Sequence, residues 1–248
     1  MVSQVDAAYA DVALAELYDA ECPWHPQDDV YLALDLAAAS VLDVGCGTGT
    51  RLVRAREVGH RGRLVGVDPG EGMLAVARAK TDQVEWVYGD AQTMDLGSRF
   101  ELITMTGHAF QVLLDDISVQ AALRNFHRHL EPGGRLAFET RNPDARAWES
   151  WIRTESLGRI EGPDGTPYEV WVDNPVVQGD LVTFEAARRA PRTGELLTST
   201  STLRFLDAAR LRDLVCQAGF TIEGWFGDWD RGPVTAGSPE IVVVARAA

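Results

Sequence analysis

The sequence predicts an α/β fold: a doubly wound, mostly parallel sheet, preceded by a helical lid and carrying an antiparallel β insertion. Short, nearly uninterrupted apolar runs alternate with amphipathic segments between Val41 and Phe138, and parallel strands buried on both faces need a helical crossover at each return. The run Val41-Leu42-Asp43-Val44 turns through Gly45, Gly47 and Gly49 into a helical segment. Beyond Trp148 apolar and polar residues alternate, punctuated by Gly162, Gly165, Gly179 and Gly194, which is the pattern of half-exposed antiparallel strands.

Taken in order, Asp6 to Ala20 and Asp28 to Ala39 carry apolar residues at helical spacing around the kinked Cys22-Pro23-Trp24-His25-Pro26, so residues 1–39 read as a lid of two helices. Strands are predicted at Val41 to Val44, Leu64 to Val67, Val84 to Tyr88, Phe100 to Met105 and Leu136 to Phe138. Helices are predicted at Leu52 to Val58, Met73 to Ala79 and Ser118 to Leu130, the last leading into the turn Glu131 to Gly134. The insertion, 149–205, holds strands at Tyr168 to Val172, Asp180 to Ala186 and Leu196 to Phe205. Asp207 to Ala218 then returns to helix, opened by an N-cap aspartate and closed at Gly219. Strands at Thr221 to Phe226 and Ile241 to Ala245 follow, so 40–148 and 206–248 form the α/β domain.

The 248 residues are 46% hydrophobic, enough for a real core, and 23 basic against 37 acidic side chains leave a formal charge of −14. That charge repels phosphate backbones and anionic bilayers, so neither a nucleic acid nor a membrane is expected as partner. No stretch approaches the ~20 apolar residues of a spanning helix, and Met1 to Asp11 lacks the basic start of a secretory leader, which points to a cytoplasmic protein. Cys22, Cys46 and Cys216 are scattered, forming neither a disulfide framework nor a metal cluster, so no metal is expected.

The chemistry concentrates at strand ends. Alternating glycines at 45, 47 and 49 let a ligand lie against the backbone; Asp68 ends the next strand about 20 positions on, where an acid can accept both ribose hydroxyls. Asp90 ends a third strand, placed to accept an adenine amino group between apolar walls such as Met73 and Ala91.

These segments, VLDVGCGTG, GVDPGEGML, YGDAQTMDL and LEPGGRLAFE, in this order and spacing, resemble the class I S-adenosylmethionine-dependent methyltransferases of the small-molecule type. The resemblance implies a Rossmann-like seven-stranded sheet ordered 3-2-1-4-5-7-6, with Ile241 to Ala245 inserted antiparallel. It also implies S-adenosylmethionine as cofactor and S-adenosylhomocysteine as product. The loop Gly45, Cys46, Gly47, Gly49 would then hold the methionyl end, Asp68 the ribose and Asp90 the adenine, with Pro69, Met73, Ala91, Gln92, Thr106 and Gly107 as further cofactor contacts. A dinucleotide dehydrogenase is the competing reading, but its pyrophosphate fingerprint wants Gly or Ala where Thr50 stands.

The expected reaction is in-line methyl transfer to a nitrogen or oxygen of a small-molecule acceptor. A peptide or protein acceptor and a binding module without catalysis remain as alternatives. His108, in the loop after the fourth strand, is the candidate general base, because an imidazole titrates near pH 6.5. Tyr18 is the candidate hydroxyl directed at the cofactor. Trp24, Tyr31 and Phe110 are candidate acceptor contacts, and Arg141 is a candidate holder of an acidic acceptor. Exposed antiparallel strands leave a homodimer open.

Overall fold

The computed structural model describes residues 6–248, so the first five residues of the 1–39 lid lie outside it. Helices α1 (Ala7–Ala10), α2 (Val12–Glu21) and α3 (Pro26–Ala37) precede β1 (Ser40–Val44). Next come α4 (Thr50–Glu57), β2 (Arg63–Asp68), α5 (Glu71–Lys80), β3 (Glu85–Tyr88) and β4 (Phe100–Met105). Then α6 (Asp116–His129) and β5 (Leu130–Arg141) lead into α7 (Arg153–Ser156) and the strands β6 (Gly158–Glu161), β7 (Pro167–Gln178), β8 (Leu181–Arg189) and β9 (Leu196–Arg204). The chain closes with α8 (Ala208–Gln217), β10 (Phe220–Phe226) and β11 (Glu240–Ala247).

Seven strands form one sheet in the order β10-β11-β5-β4-β1-β2-β3, with β11 antiparallel to both β10 and β5, which is the order the resemblance implies. Successive residues of β1 serve opposite faces. Leu42 and Val44 join a core roofed by α6 and α8, whereas Val41 joins a second core under α3 and α4. Asp43 shares the face of Val41 and is neutralised there by Arg51 of α4, at 2.6 Å. Arg51 also pairs with Asp35 of α3, and its guanidinium is held above the usual arginine range by these two carboxylates against the cost of burial. This buried cluster ties α4 down at the end of the glycine turn.

The four insertion strands form a separate antiparallel sheet, β6-β7-β8-β9. Its own small core packs Val182, Leu203 and Phe205 against Trp148, Trp151 and Phe184, with Trp148 edge-on to Phe205 at 4.5 Å. The lid lies between this sheet and the α/β domain. On one side α1 and α2 rest on α5, where a Cβ at Gly72 would come within 2.8 Å of the Ala10 carbonyl; on the other, Glu21 of α2 accepts a two-pronged bond from Arg188 of β8, at 2.6 and 2.7 Å. No described helix is long and apolar enough to cross a membrane.

The elements depart from expectation in four places. The single helix expected from Asp6 to Ala20 breaks at Asp11, whose carboxylate caps α2 by accepting from the Ala13 and Leu14 amides. Strand β5 begins at Leu130 rather than Leu136, so Glu131 to Gly134 lies inside it, beside a register shift between Phe100 and Leu102. Strand β7 runs past the expected end at Val172 because a bulge absorbs Asn174, at φ 56°; asparagine tolerates this left-handed backbone. Strand β6, four residues long, adds to the insertion strands expected from the sequence.

Candidate active site

The carboxyl ends of β1, β2, β4 and β5 meet under the lid. The turn after β1 is anchored by two amides, Gly45 and Cys46, that both donate to the Val67 carbonyl, at 2.8 and 3.1 Å. Gly47, at φ 55°, requires the left-handed region, and a Cβ there would stand 3.8 Å from Cε1 of Tyr18, in the space between loop and lid. Gly49, at φ 72°, is enforced from the opposite side, where a Cβ would collide with the Trp86 ring at 2.2 Å. Cys46 is tucked against β2 beside Gly66, and burial pushes its thiol well above the usual range.

Asp68 is almost wholly buried and spans the two halves of the crevice floor, with Oδ2 accepting from the Gly47 amide at 2.8 Å and Oδ1 from the Gly70 amide at 2.7 Å. Burial pushes its carboxyl up to about 6, against the opposing pull of those two amides. A carboxylate offers about four acceptor positions, so two of those of Asp68 remain unused. Asp90 is more committed: Oδ1 accepts from the Gln92 and Thr93 amides and Oδ2 from the Thr93 hydroxyl, all at 2.8 Å, which leaves one position. Ala91 and Met73 are buried beneath this loop, Met73 completely, while Pro69 and Gln92 are half-buried at its surface.

Tyr18 roofs the crevice. Its ring edge covers Gly47, and its hydroxyl would lie 3.9 Å from a Cβ on Gly107, so one side chain bridges the glycine turn and the loop Thr106 to His108. Tyr9 packs edge-on against it with ring centres 6.4 Å apart. The next residue, Asp19, ties the same helix to the turn by accepting from the hydroxyls of Thr48 and Thr50 and pairing with Lys80 at 2.5 Å.

Across the crevice, His108 has a left-handed backbone, φ 61°, that is uncommon for a residue with a side chain. Two carboxylates from neighbouring strands hold it. Its amide donates to Glu139 Oε1 of β5 at 2.8 Å, and its ring Nε2 lies 2.9 Å from Glu240 Oε1 of β11. Glu139 Oε2 accepts from the Tyr31 hydroxyl, and burial holds the Glu139 carboxyl above its ordinary value. Arg141 shares a sheet face with Glu139 and is paired in register with Glu240. Its Nη1 donates to Gln111 Oε1 at 2.9 Å and its guanidinium stacks 5.3 Å from the Trp151 ring, while desolvation pulls it below the usual arginine range.

The structure therefore gathers Gly45, Gly47, Asp68, Tyr18, Gly107, His108 and Arg141 around one crevice. Three candidates stand apart. Tyr31 is buried as the support of Glu139, and Phe110 is buried against Phe138 at 4.3 Å, so neither offers a free surface to an acceptor. Trp24 is exposed, donates to Asp29 at 3.0 Å and lines an open cavity with Asp19, Leu32, Thr50 and Lys80 on the outer side of α4. The sequence reading did not reach Glu139, Glu240, Gln111 and Asp19. For the first, a signal existed: two-residue alternation along β5 puts Glu139 and Arg141 on one face.

The methyltransferase-domain family profile matches residues 41–134, which run from β1 into β5. A cypemycin N-terminal methyltransferase from Streptomyces sp is 29% identical over 84% of this chain and 83% of its own length. A dTDP-3-amino-3,6-dideoxy-alpha-D-glucopyranose N,N-dimethyltransferase from Streptomyces fradiae is 33% identical over 51% of this chain, and the match spans about half of that relative, 52%. Among solved structures, the sugar N-methyltransferase KedS8 from Streptoalloteichus sp superposes with a TM-score of 0.76 at 22% identity, covering 100% of this chain and 98% of that one, a likeness of fold. The residues present fit the cofactor such proteins use: a cradle at Gly47 that a Cβ would fill, and beside it a desolvated carboxylate with acceptor positions to spare. The strand order, the glycine turn and the methyltransferase domain matched over residues 41–134 are those of the class I S-adenosylmethionine-dependent methyltransferases.

Proposed function

We propose that this chain methylates a nitrogen or oxygen atom of a small-molecule acceptor, an amine nitrogen first. The observation that carries the reading is Tyr18, which bridges Gly47 and Gly107 and so makes the glycine turn and the His108 loop two walls of one covered crevice. When bound, S-adenosylmethionine supplies an electrophilic methyl carbon on a sulfonium. The backbone of Gly45, Cys46, Gly47 and Gly49 would hold its methionyl end, Asp68 would accept from the ribose hydroxyls, and the remaining acceptor position of Asp90 would take the adenine amino group. Thr106 and Gly107 form the far wall. Tyr18 and Tyr9 exclude water from above, His108 receives the acceptor's proton, and Arg141 holds an anionic group of the acceptor.

The relative named as an N,N-dimethyltransferase of an aminosugar nucleotide supports nitrogen as receiving atom and a small molecule as acceptor. A second reading, methylation of a peptide's terminal amine, draws on the N-terminal methyltransferase relative matched across most of both chains. The test is incubation with the cofactor and a panel of aminosugar nucleotides, other amines, phenols and short peptides, read by mass spectrometry for the gain of one methyl group. Methylation of a small amine or hydroxyl is expected. Methylation of the peptides alone would replace this reading with the second, and cofactor binding without methylation of any acceptor would mark a non-catalytic module.

A further inference from the structure

We infer that Glu240 is a positioning residue that fixes His108 as the tautomer with its basic lone pair on Nδ1. The inference rests on the proposed methyl-transfer reading and adds to it which nitrogen takes the proton.

An ionised carboxylate only accepts hydrogen bonds, so at 2.9 Å from Glu240 Oε1 the Nε2 atom of His108 must carry the hydrogen. In a neutral imidazole the other nitrogen, Nδ1, then holds the lone pair. Nδ1 takes no hydrogen bond from the described residues and is not among the buried atoms lacking a partner, so it remains open to a ligand. Glu240 itself is mostly buried, and its second oxygen, Oε2, is buried with no partner. Its charge faces both the imidazole and the guanidinium of Arg141, its neighbour in the strand register. The backbone bond from His108 to Glu139 holds the left-handed turn, and the ring bond to Glu240 sets rotamer and tautomer, so two adjacent strands over-determine one strained residue.

The charged and titratable groups facing this imidazole are few. From β5 come Glu139, which accepts from the Tyr31 hydroxyl of α3, and Arg141, which donates to Gln111 and is the countercharge to Glu240 and Glu139. From β11 comes Glu240, and from α2 the Tyr18 hydroxyl. The proton step balances within this set. An N–H bond of an ammonium acceptor breaks, its electron pair stays on nitrogen as the nucleophilic lone pair, and the proton forms the Nδ1–H bond. Water removes that proton after the product leaves.

The test is the imidazole tautomer, read from the nitrogen shifts of His108 in protein labelled with 15N-histidine; the chain has five histidines, and His108→Asn assigns the resonances. Wild type is expected to show a protonated Nε2 and an unprotonated Nδ1, and Glu240→Leu, which removes the acceptor, a mixture of the two tautomers. Turnover of Glu240→Leu should fall, and Glu240→Gln, whose amide oxygen can still accept from Nε2, should recover part of it. The same single tautomer in wild type and Glu240→Leu, with the variant folded, would overturn the inference. Binding of S-adenosylhomocysteine to the wild-type protein, measured alongside, separates this failure from failure of the methyl-transfer reading: retained binding with an unchanged tautomer refutes the role of Glu240 alone.

Discussion

Alanine at position 47 separates the fold from the site. The structure leaves room for the methyl group, since the nearest atom, Cε1 of Tyr18, would be 3.8 Å from the new Cβ. The cost to the fold is then mainly that of an L-residue at φ 55°, about 1–2 kcal/mol. For a chain of this length each kcal/mol lowers Tm by roughly 2–4 °C, so Gly47→Ala should melt a few degrees below wild type and remain folded. The same methyl group intrudes into the space between the turn and Tyr18, where the methionyl end is proposed to lie, and affinity for S-adenosylhomocysteine should fall by at least about tenfold, or about 1.4 kcal/mol. Gly49→Ala is the contrast. Its Cβ would overlap the Trp86 ring at 2.2 Å, a ring anchored by its Nε1 donating to the Thr81 carbonyl at 3.0 Å. Overpacking adds about 1–3 kcal/mol to the same backbone strain, so the larger fall in Tm belongs to this variant. Differential scanning fluorimetry and calorimetric titration read both quantities. A folded Gly47→Ala that binds S-adenosylhomocysteine as tightly as wild type would refute the placement of the cofactor against this turn.

Two further outcomes follow from the same geometry. Asp68, with its carboxyl pushed up to about 6 by burial, is ionised above that pH and protonated below it. Affinity for S-adenosylhomocysteine should therefore fall up to about tenfold between pH 7.5 and pH 5, and a flat profile would remove Asp68 from the ribose. The folded chain takes up this proton at higher pH than the unfolded chain does, so the contribution of Asp68 to stability is full below the unfolded value and is lost as pH rises through about 6. Arg188→Ala strands the mostly buried Glu21 carboxylate without its partner. Urea unfolding should show a loss of about 3 kcal/mol, and Glu21→Gln combined with Arg188→Met should recover part of it; equal stability of Arg188→Ala and wild type would mean that this pair does not hold the lid to the insertion sheet.

What was legible in the sequence was chemistry carried by neighbours along the chain. Gly45 to Gly49 follow a buried strand directly, Asp68 ends β2 and Asp90 lies two residues past β3, so residue type and position together marked them. Breaks inside an apolar pattern were harder. Asp11 sits where helical spacing continues on both sides, and only its capping bonds show that the helix stops and restarts. Asn174-Pro175 reads as the end of a strand, yet a bulge carries β7 through it. The hardest features were contacts between distant segments. His108 and Glu240 are 132 positions apart and meet only because β11 is inserted beside β5, in a register that sets Glu240 opposite Arg141. Tyr31 looked like a pocket aromatic from its place in the lid, but α3 turns it inward, where Glu139 needs a donor.

The central claim is that the crevice at the carboxyl ends of β1 and β2 is shaped for an adenosyl sulfonium compound and its product. Isothermal titration of the purified chain with S-adenosylhomocysteine and, separately, with NAD tests it most directly. Saturable binding of one S-adenosylhomocysteine per chain, abolished or strongly weakened by Asp68→Ala, with no saturable heat from NAD, is the predicted result. Tighter binding of NAD than of S-adenosylhomocysteine, or full affinity for the latter in a folded Asp68→Ala variant, would contradict it.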